Sequence, residues 1–166
     1  MSMQTHGFFI ASWSPIYCRL CLCVALLLGL LPLHSQAQMS PQTQEVKAAV
    51  DGLYRALSNN DAQGFSEFLL PQGFTEFNPD WSGIRRLDMD VFNAIFNSGA
   101  KINLSVDALQ IQSIADNTAI VTGYRVGSIT APGGTAVASR LALTMIWLNQ
   151  RGTWKLQHVH LSQAKF

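Results

Sequence analysis

The segment Gly152-Thr153-Trp154-Lys155-Leu156-Gln157-His158-Val159-His160-Leu161-Ser162 carries two imidazoles two residues apart. The chain has four histidines, and the other two, His6 and His34, lie before residue 38. An imidazole titrates near neutrality, so such a pair can exchange a proton, orient a polar ligand or bind a metal. Strict alternation along a strand predicts Trp154, Leu156, His158, His160 and Ser162 on one face. His158 and His160 would then form the polar end of a pocket and supply its acid or base. A zinc site needs a third ligand and usually a supporting carboxylate. The C-terminal half offers no obvious one, so no metal is expected. The competing reading is structural, with the imidazoles hydrogen-bonded inside the sheet.

Arg140 begins the neighbouring strand, Arg140-Leu141-Ala142-Leu143-Thr144-Met145-Ile146-Trp147. Arg140, Ala142, Thr144 and Ile146 share one face. If they join the histidines, Arg140 and Thr144 add a fixed charge and a hydroxyl suited to a carboxylate or carbonyl oxygen. The bulky set would then lie on the outer sheet face, out of reach of the helices. Alternation therefore predicts a homodimer interface centred on Leu143, Met145 and Trp147. Tyr54, Trp81, Tyr124 and Trp154 are expected to line the apolar part of the pocket. Asp80, in a loop beside Trp81, is the one carboxylate considered as a general base.

The elements that must position these residues follow from periodicity. Ser40-Pro41 opens a helix that carries Val46, Val50, Leu53, Tyr54 and Leu57 on one stripe to about Ser58. Asp61 can cap a second short helix bearing Phe65, Phe68 and Leu69. Phe74-Thr75-Glu76-Phe77 alternates as a short strand. Asp88 can cap a third helix carrying Met89, Phe92, Ile95 and Phe96, with Gly99 as its stop. From Lys101 the period changes to two. Strands are expected at about 102–114, 118–130, 136–149 and 153–163, separated by short Gly, Asn and Asp turns. Helices followed by a meander of long strands predict an α+β domain with antiparallel pairing and helices on one face.

The 166 residues allow one ordinary domain. Arg19 precedes an apolar run from Leu20 to Leu33, and Ser35-Gln36-Ala37 follows it with small outer residues. The pattern predicts a cleaved signal peptide over residues 1–37, a domain over 38–166 and a periplasmic or secreted protein. An uncleaved anchor is the alternative, but the run is short of the roughly twenty residues that span a bilayer. All three cysteines lie in this leader, so the remaining domain has no thiol chemistry. The net charge is +1, with neither a basic stripe nor a run of like charge. Neither nucleic acid nor, after cleavage, a membrane is expected as partner.

The last strand resembles that of the nuclear transport factor 2-like superfamily, nearest to its SnoaL-like domains and to the association domains of calcium/calmodulin-dependent kinases. The likeness rests on Gly152-x-Trp154 followed by His158-x-His160-x-Ser162. It continues through Thr144-x-x-Trp147, the hairpin from Asp116 to Gly123, the helix from Val46 to Leu57 and Asp61-Ala62, and so spans nearly all of residues 42–163. It implies a cone-shaped, cystatin-like roll, with N-terminal helices packed in the concave face of a curved antiparallel sheet and dimers through that sheet. It also implies a pocket for a small, partly apolar molecule. The ketosteroid-isomerase set of base and oxyanion donors finds no match. The expectation is a cofactor-free isomerase, dehydratase or cyclase that uses histidine acid/base chemistry. The alternative is a non-catalytic assembly module with structural histidines.

Overall fold

A computed structural model describes residues 39–164. The expected signal peptide lies outside the described residues. Helix α1 (Pro41–Ser58) starts where the Ser40 hydroxyl accepts from Thr43 N–H at 3.2 Å, with proline at the first helical position. Helix α2 (Ala62–Ser66) is capped by Asp61, whose Oδ1 accepts from Gly64 N–H at 2.9 Å. Strands β1 (Phe74–Phe77) and β2 (Arg85–Leu87) form a short hairpin; β2 goes beyond the sequence expectation, because three residues show no period. Helix α3 (Met89–Asn97) begins at Asp88, whose carboxylate takes Asp90 and Val91 N–H. It is followed by Gly99 at φ +81°, a left-handed conformation that glycine adopts without strain.

Four long strands follow: β3 (Lys101–Ala115), β4 (Thr118–Thr130), β5 (Ala138–Gln150) and β6 (Thr153–Gln163). The sheet order is β2-β1-β6-β5-β4-β3. The α+β class and the hairpin meander are as expected, while β1 lies parallel to β6 and makes the sheet mixed. The sheet is curved and unclosed. Two features of β3 and β4 accompany the curvature. Ala108 (φ +49°) and Leu109 bulge from β3 between the pairs Asp107–Tyr124 and Gln110–Thr122. Gly127, at φ +124°, lies so close to the Asn103 carbonyl that a Cβ would overlap it.

The core lies between this sheet and the helices. Val46, Val50 and Leu53 of α1 meet Val121, Leu143, Met145, Trp147, Leu156 and Leu161 of the long strands. Each such side chain contributes about 1.5–3 kcal/mol when fully buried. Phe92, the one buried residue of α3, lies 4.3 Å from Phe65 and 5.9 Å from Phe74, centroid to centroid. That cluster ties α3, α2 and β1 together.

One irregularity decides which side chains face the core. On β5 and β6, Ile146 pairs with His158 but Trp147 pairs with Leu156, so Gln157 is an extra residue. A bulge of this kind shifts the alternation by one. Trp154 and Leu156 before it, and Val159 and Leu161 after it, all face the core. His158 and His160 therefore project to the opposite face, away from the helices. The same geometry corrects the dimer expectation. Leu143, Met145 and Trp147 are at most 3% exposed beneath the helices, and the outer face of β5 carries Arg140, Ala142, Thr144 and Ile146 instead.

Candidate functional site

Between the inner sheet face and the helices lies a cavity of about 620 Å³. Its walls are largely apolar, with Leu53 and Leu57 from α1, Phe65 from α2, Phe92 from α3, and Met145 and Leu156 from the sheet. The exposed lining residues Asp80, Arg85, Ile129 and Pro132 mark its rim. There the Arg85 guanidinium sits 5.0 Å from the centre of the Trp81 ring, a cation–π contact between the two loop ends. A volume of this size suits a small organic ligand.

Inside the exposed rim, polar side chains interrupt the apolar wall. Tyr54 comes from the buried stripe of α1, Glu76 from β1, Asn78 from the turn after it, and Arg125 from β4. Glu76 and Asn78 are both buried, and Asn78 Nδ2 donates to Glu76 Oε1 at 3.0 Å. Burial pushes the Glu76 carboxyl above its ordinary value of 4.5, while the hydrogen bond from Asn78 and the charge of Arg125 pull it down. Burial likewise raises the Tyr54 phenol well beyond its usual value, with Arg125 opposing and Glu76 adding to the rise. Tyr54 is thus a neutral hydroxyl. The Arg125 Nε is buried with no hydrogen-bond partner among the described residues.

This set can do chemistry. A carboxyl whose proton affinity is raised by an apolar wall holds a proton more readily than a free one and can pass it on as acid or base. A guanidinium with a free buried N–H is a ready donor to an oxygen that gains negative charge. Among the described residues, no group of three or more His, Cys, Asp or Glu is arranged to hold a metal ion.

The sequence-predicted residues divide between two faces. Tyr54 and Trp81 line the cavity, and Asp80 lies at its rim. Trp154 is buried in the core, its Nε1 donating to Glu45 Oε2 at 3.1 Å, and is not among the lining residues. His158, His160, Arg140, Thr144 and Tyr124 lie on the outer sheet face, where they cannot reach the cavity. The Gln157 bulge turns the histidines outward, and Arg140 and Thr144 share their face of the sheet. Tyr124 pairs with Ala142 and shares its outer face.

On that outer face the histidines have neighbours of their own. His158 Nδ1 lies 2.8 Å from Thr75 Oγ1, and the His160 ring is 5.1 Å from the Phe77 ring, centroid to centroid. Thr144 and Ile146 flank them across β5. Burial is the main cause that lowers the His158 pKa from 6.5; the neighbouring His160 lowers it further and the Thr75 contact opposes. Arg140 stacks 4.2 Å from the centre of Tyr124 and reaches Asp107 Oδ2 at 3.3 Å.

Glu76, Asn78 and Arg125 escaped the sequence reading, although two of them carried a signal. Glu76 is two residues from the buried Phe74 on the same strand. Arg125 is in phase with Ala119 and Val121, both fully buried. A charged residue in phase with a core stripe is the mark of a lined cavity. Asn78, in a turn, had no periodic context.

The sequence profile described as "SnoaL-like domain" matches residues 46–165. Among solved structures, a candidate dehydratase of the NTF2-like family from Streptomyces avermitilis is 18% identical. It covers 76% of this chain and 100% of its own, with a TM-score of 0.62. The calcium/calmodulin-dependent kinase II (CaMKII) hub of S. rosetta is 24% identical, with coverage of 77% and 100% and a TM-score of 0.60. An NTF2-like protein from Cytophaga hutchinsonii is 18% identical, with coverage of 76% and 100% and a TM-score of 0.60. At these identities the likeness to solved structures concerns the fold. No curated protein matches the chain.

Proposed function

The chain belongs to the SnoaL-like domain family, and from that premise we propose that it binds a small, partly apolar molecule in its cavity and acts on it by proton transfer. Glu76 is the proton carrier, and Arg125 with Tyr54 holds the ligand oxygen on which negative charge develops. Isomerisation, dehydration and cyclisation are the reactions that such a set can run without a cofactor. In an isomerisation the proton leaves one ligand carbon for Glu76 and returns to another. In a dehydration it returns to the departing hydroxyl, which leaves as water. The observation that carries this reading is the buried Glu76 carboxyl beside an unpartnered Arg125 Nε in an apolar cavity. The NTF2-like candidate dehydratase supports it at the level of fold. The leader-like pattern at residues 19–37 supports export of the protein.

A second reading rests on the other face. The outer sheet surface carries Phe77, Thr144, Ile146, His158 and His160, and Phe77 is 38% exposed despite its apolar ring. The kinship in fold with the CaMKII hub supports assembly of copies of this chain through that face. The two readings are compatible, since they use opposite sides of one sheet.

A thermal-shift and native mass-spectrometry screen of small carbonyl and hydroxyl compounds tests the first reading. The Glu76→Gln and Arg125→Gln variants should stay folded and lose ligand response or turnover. A His158→Ala/His160→Ala variant should keep the ligand response. Loss of response only in the histidine variant would return the chemistry to the outer face.

A further inference from the structure

The turn after β1 grips Glu76 by one oxygen only. Asn78 and Glu76 are 8% and 7% exposed. The direction of the Asn78 amide is set by the backbone: Asp80 N–H donates to Asn78 Oδ1 at 3.1 Å, a bond that only the oxygen end can accept. The Nδ2 end is therefore the one that meets Glu76 Oε1, at 3.0 Å. Trp81 N–H also donates to the Asn78 carbonyl at 3.0 Å, so the turn is closed on both its main chain and its side chain. Glu76 Oε2 has no hydrogen-bond partner among the described residues.

We propose that Asn78 is a positioning residue, which occupies Glu76 Oε1 as a donor and so assigns the proton of the neutral carboxyl to Oε2. A proton on Oε1 would make the partner of the Asn78 N–H a hydroxyl oxygen, a poorer acceptor than the carbonyl oxygen that Oε1 becomes when the proton sits on Oε2. With the proton on Oε2, Oε1 accepts from Asn78 and the O–H is directed elsewhere. The same bond persists in the carboxylate, where it is charge-assisted and stronger. Asn78 thus does two things: it orients the acid and eases its ionisation.

Charged and titratable groups line the cavity around Glu76 on several elements. They are Tyr54 of α1, Asp80 of the turn, Arg85 of β2 and Arg125 of β4, whereas β6 offers only Leu156 and Val159. None of these is a hydrogen-bond partner of Glu76. Among the described residues, Asn78 is the one hydrogen-bond partner that distinguishes its two oxygens. The inference rests on the reading of Glu76 as proton carrier, but its test needs no ligand.

The chain has only three glutamates, Glu45, Glu67 and Glu76. The full-length protein labelled with carbon-13 at the glutamate carboxyl therefore gives three side-chain titrations, and Glu76→Gln identifies the one of interest. Asn78→Leu should move the Glu76 midpoint upward by about one pH unit, since the charged form loses its donor. Asn78→Asp, of the same shape, should move it further and split it into two coupled steps. It also decides the matter if Asn78→Leu does not fold. A Glu76 midpoint that stays in place in a folded variant would reduce Asn78 to a turn residue and overturn the proposal. If the midpoint shifts while the ligand screen finds nothing, Asn78 keeps its role and the proposed function falls. If the screen succeeds and the midpoint stays, the reverse holds.

Discussion

Glu76 stands where a carboxylate is least expected, on the inner face of a sheet in a cavity that Phe65, Phe74 and Phe92 also line. Its presence there has a consequence for stability. Its folded-state pKa lies above the ordinary 4.5, so the folded chain binds more protons than the unfolded one as pH rises past that value. Stability falls through this window. Glu76→Gln keeps the shape and an acceptor for Asn78 without the charge. It should raise the melting temperature at neutral pH, and the gain should vanish below about pH 4.5. Calorimetry across pH 4–8 checks this; a gain that persists in acid would mean that the carboxyl is not held above its ordinary range. Tyr54, pushed upward by the same burial, keeps its proton throughout and serves only as a neutral hydrogen-bonding group.

At the scale of elements, the last strand turns on a single residue. Gln157 takes up one extra position in β6, so that Trp154 and Leu156 on one side and Val159 and Leu161 on the other all reach the same core. Deleting it restores strict alternation and turns one of these pairs outward. The deletion should abolish the cooperative thermal transition, whereas Gln157→Ala, which keeps the count, should cost little. Circular dichroism melts of the two variants separate the outcomes. Trp147→Ala should cost about 3–5 kcal/mol, as the loss of a wholly buried indole does. Thr144→Ala, on the opposite face of the same strand, should leave the fold of the isolated chain nearly unchanged. Equal losses in urea melts would contradict the assignment of faces. The expected strand limits near 102–114, 118–130 and 153–163 lie within a residue or two of those observed, because long alternating runs between Gly, Asn and Asp turns leave little freedom. The bulge has no such mark in the sequence. Its evidence is that Leu156 and Val159, three apart, both need the core.

At the scale of the molecule, the curved sheet separates a cavity from a second, outer surface. Association through the outer face would bring His158 and His160 of each copy into a less hydrated setting. The His158 pKa is already lowered, chiefly by burial. The neutral form is thus the one that the structure favours, and the cost of protonation appears as pH falls below about 6.5. Light scattering should therefore show assembly at pH 7.5 that weakens toward pH 5.5, and Phe77→Glu should give folded monomers at either pH. A wild-type chain that is monomeric at micromolar concentration and pH 7.5 would exclude this role for the face. By itself the sequence determined the helices and their caps, the four long strands, the turns between them and the likeness to a cone-shaped family, because all of these follow from local period, capping chemistry and short motifs. Only the tertiary structure decided which face each histidine takes, that Leu143, Met145 and Trp147 are core, and that Tyr54, Glu76, Asn78 and Arg125 meet in one cavity. The physical reason is that one inserted residue reverses every later side chain in a strand, and that groups from distant elements share a wall only after the sheet has curved around the helices.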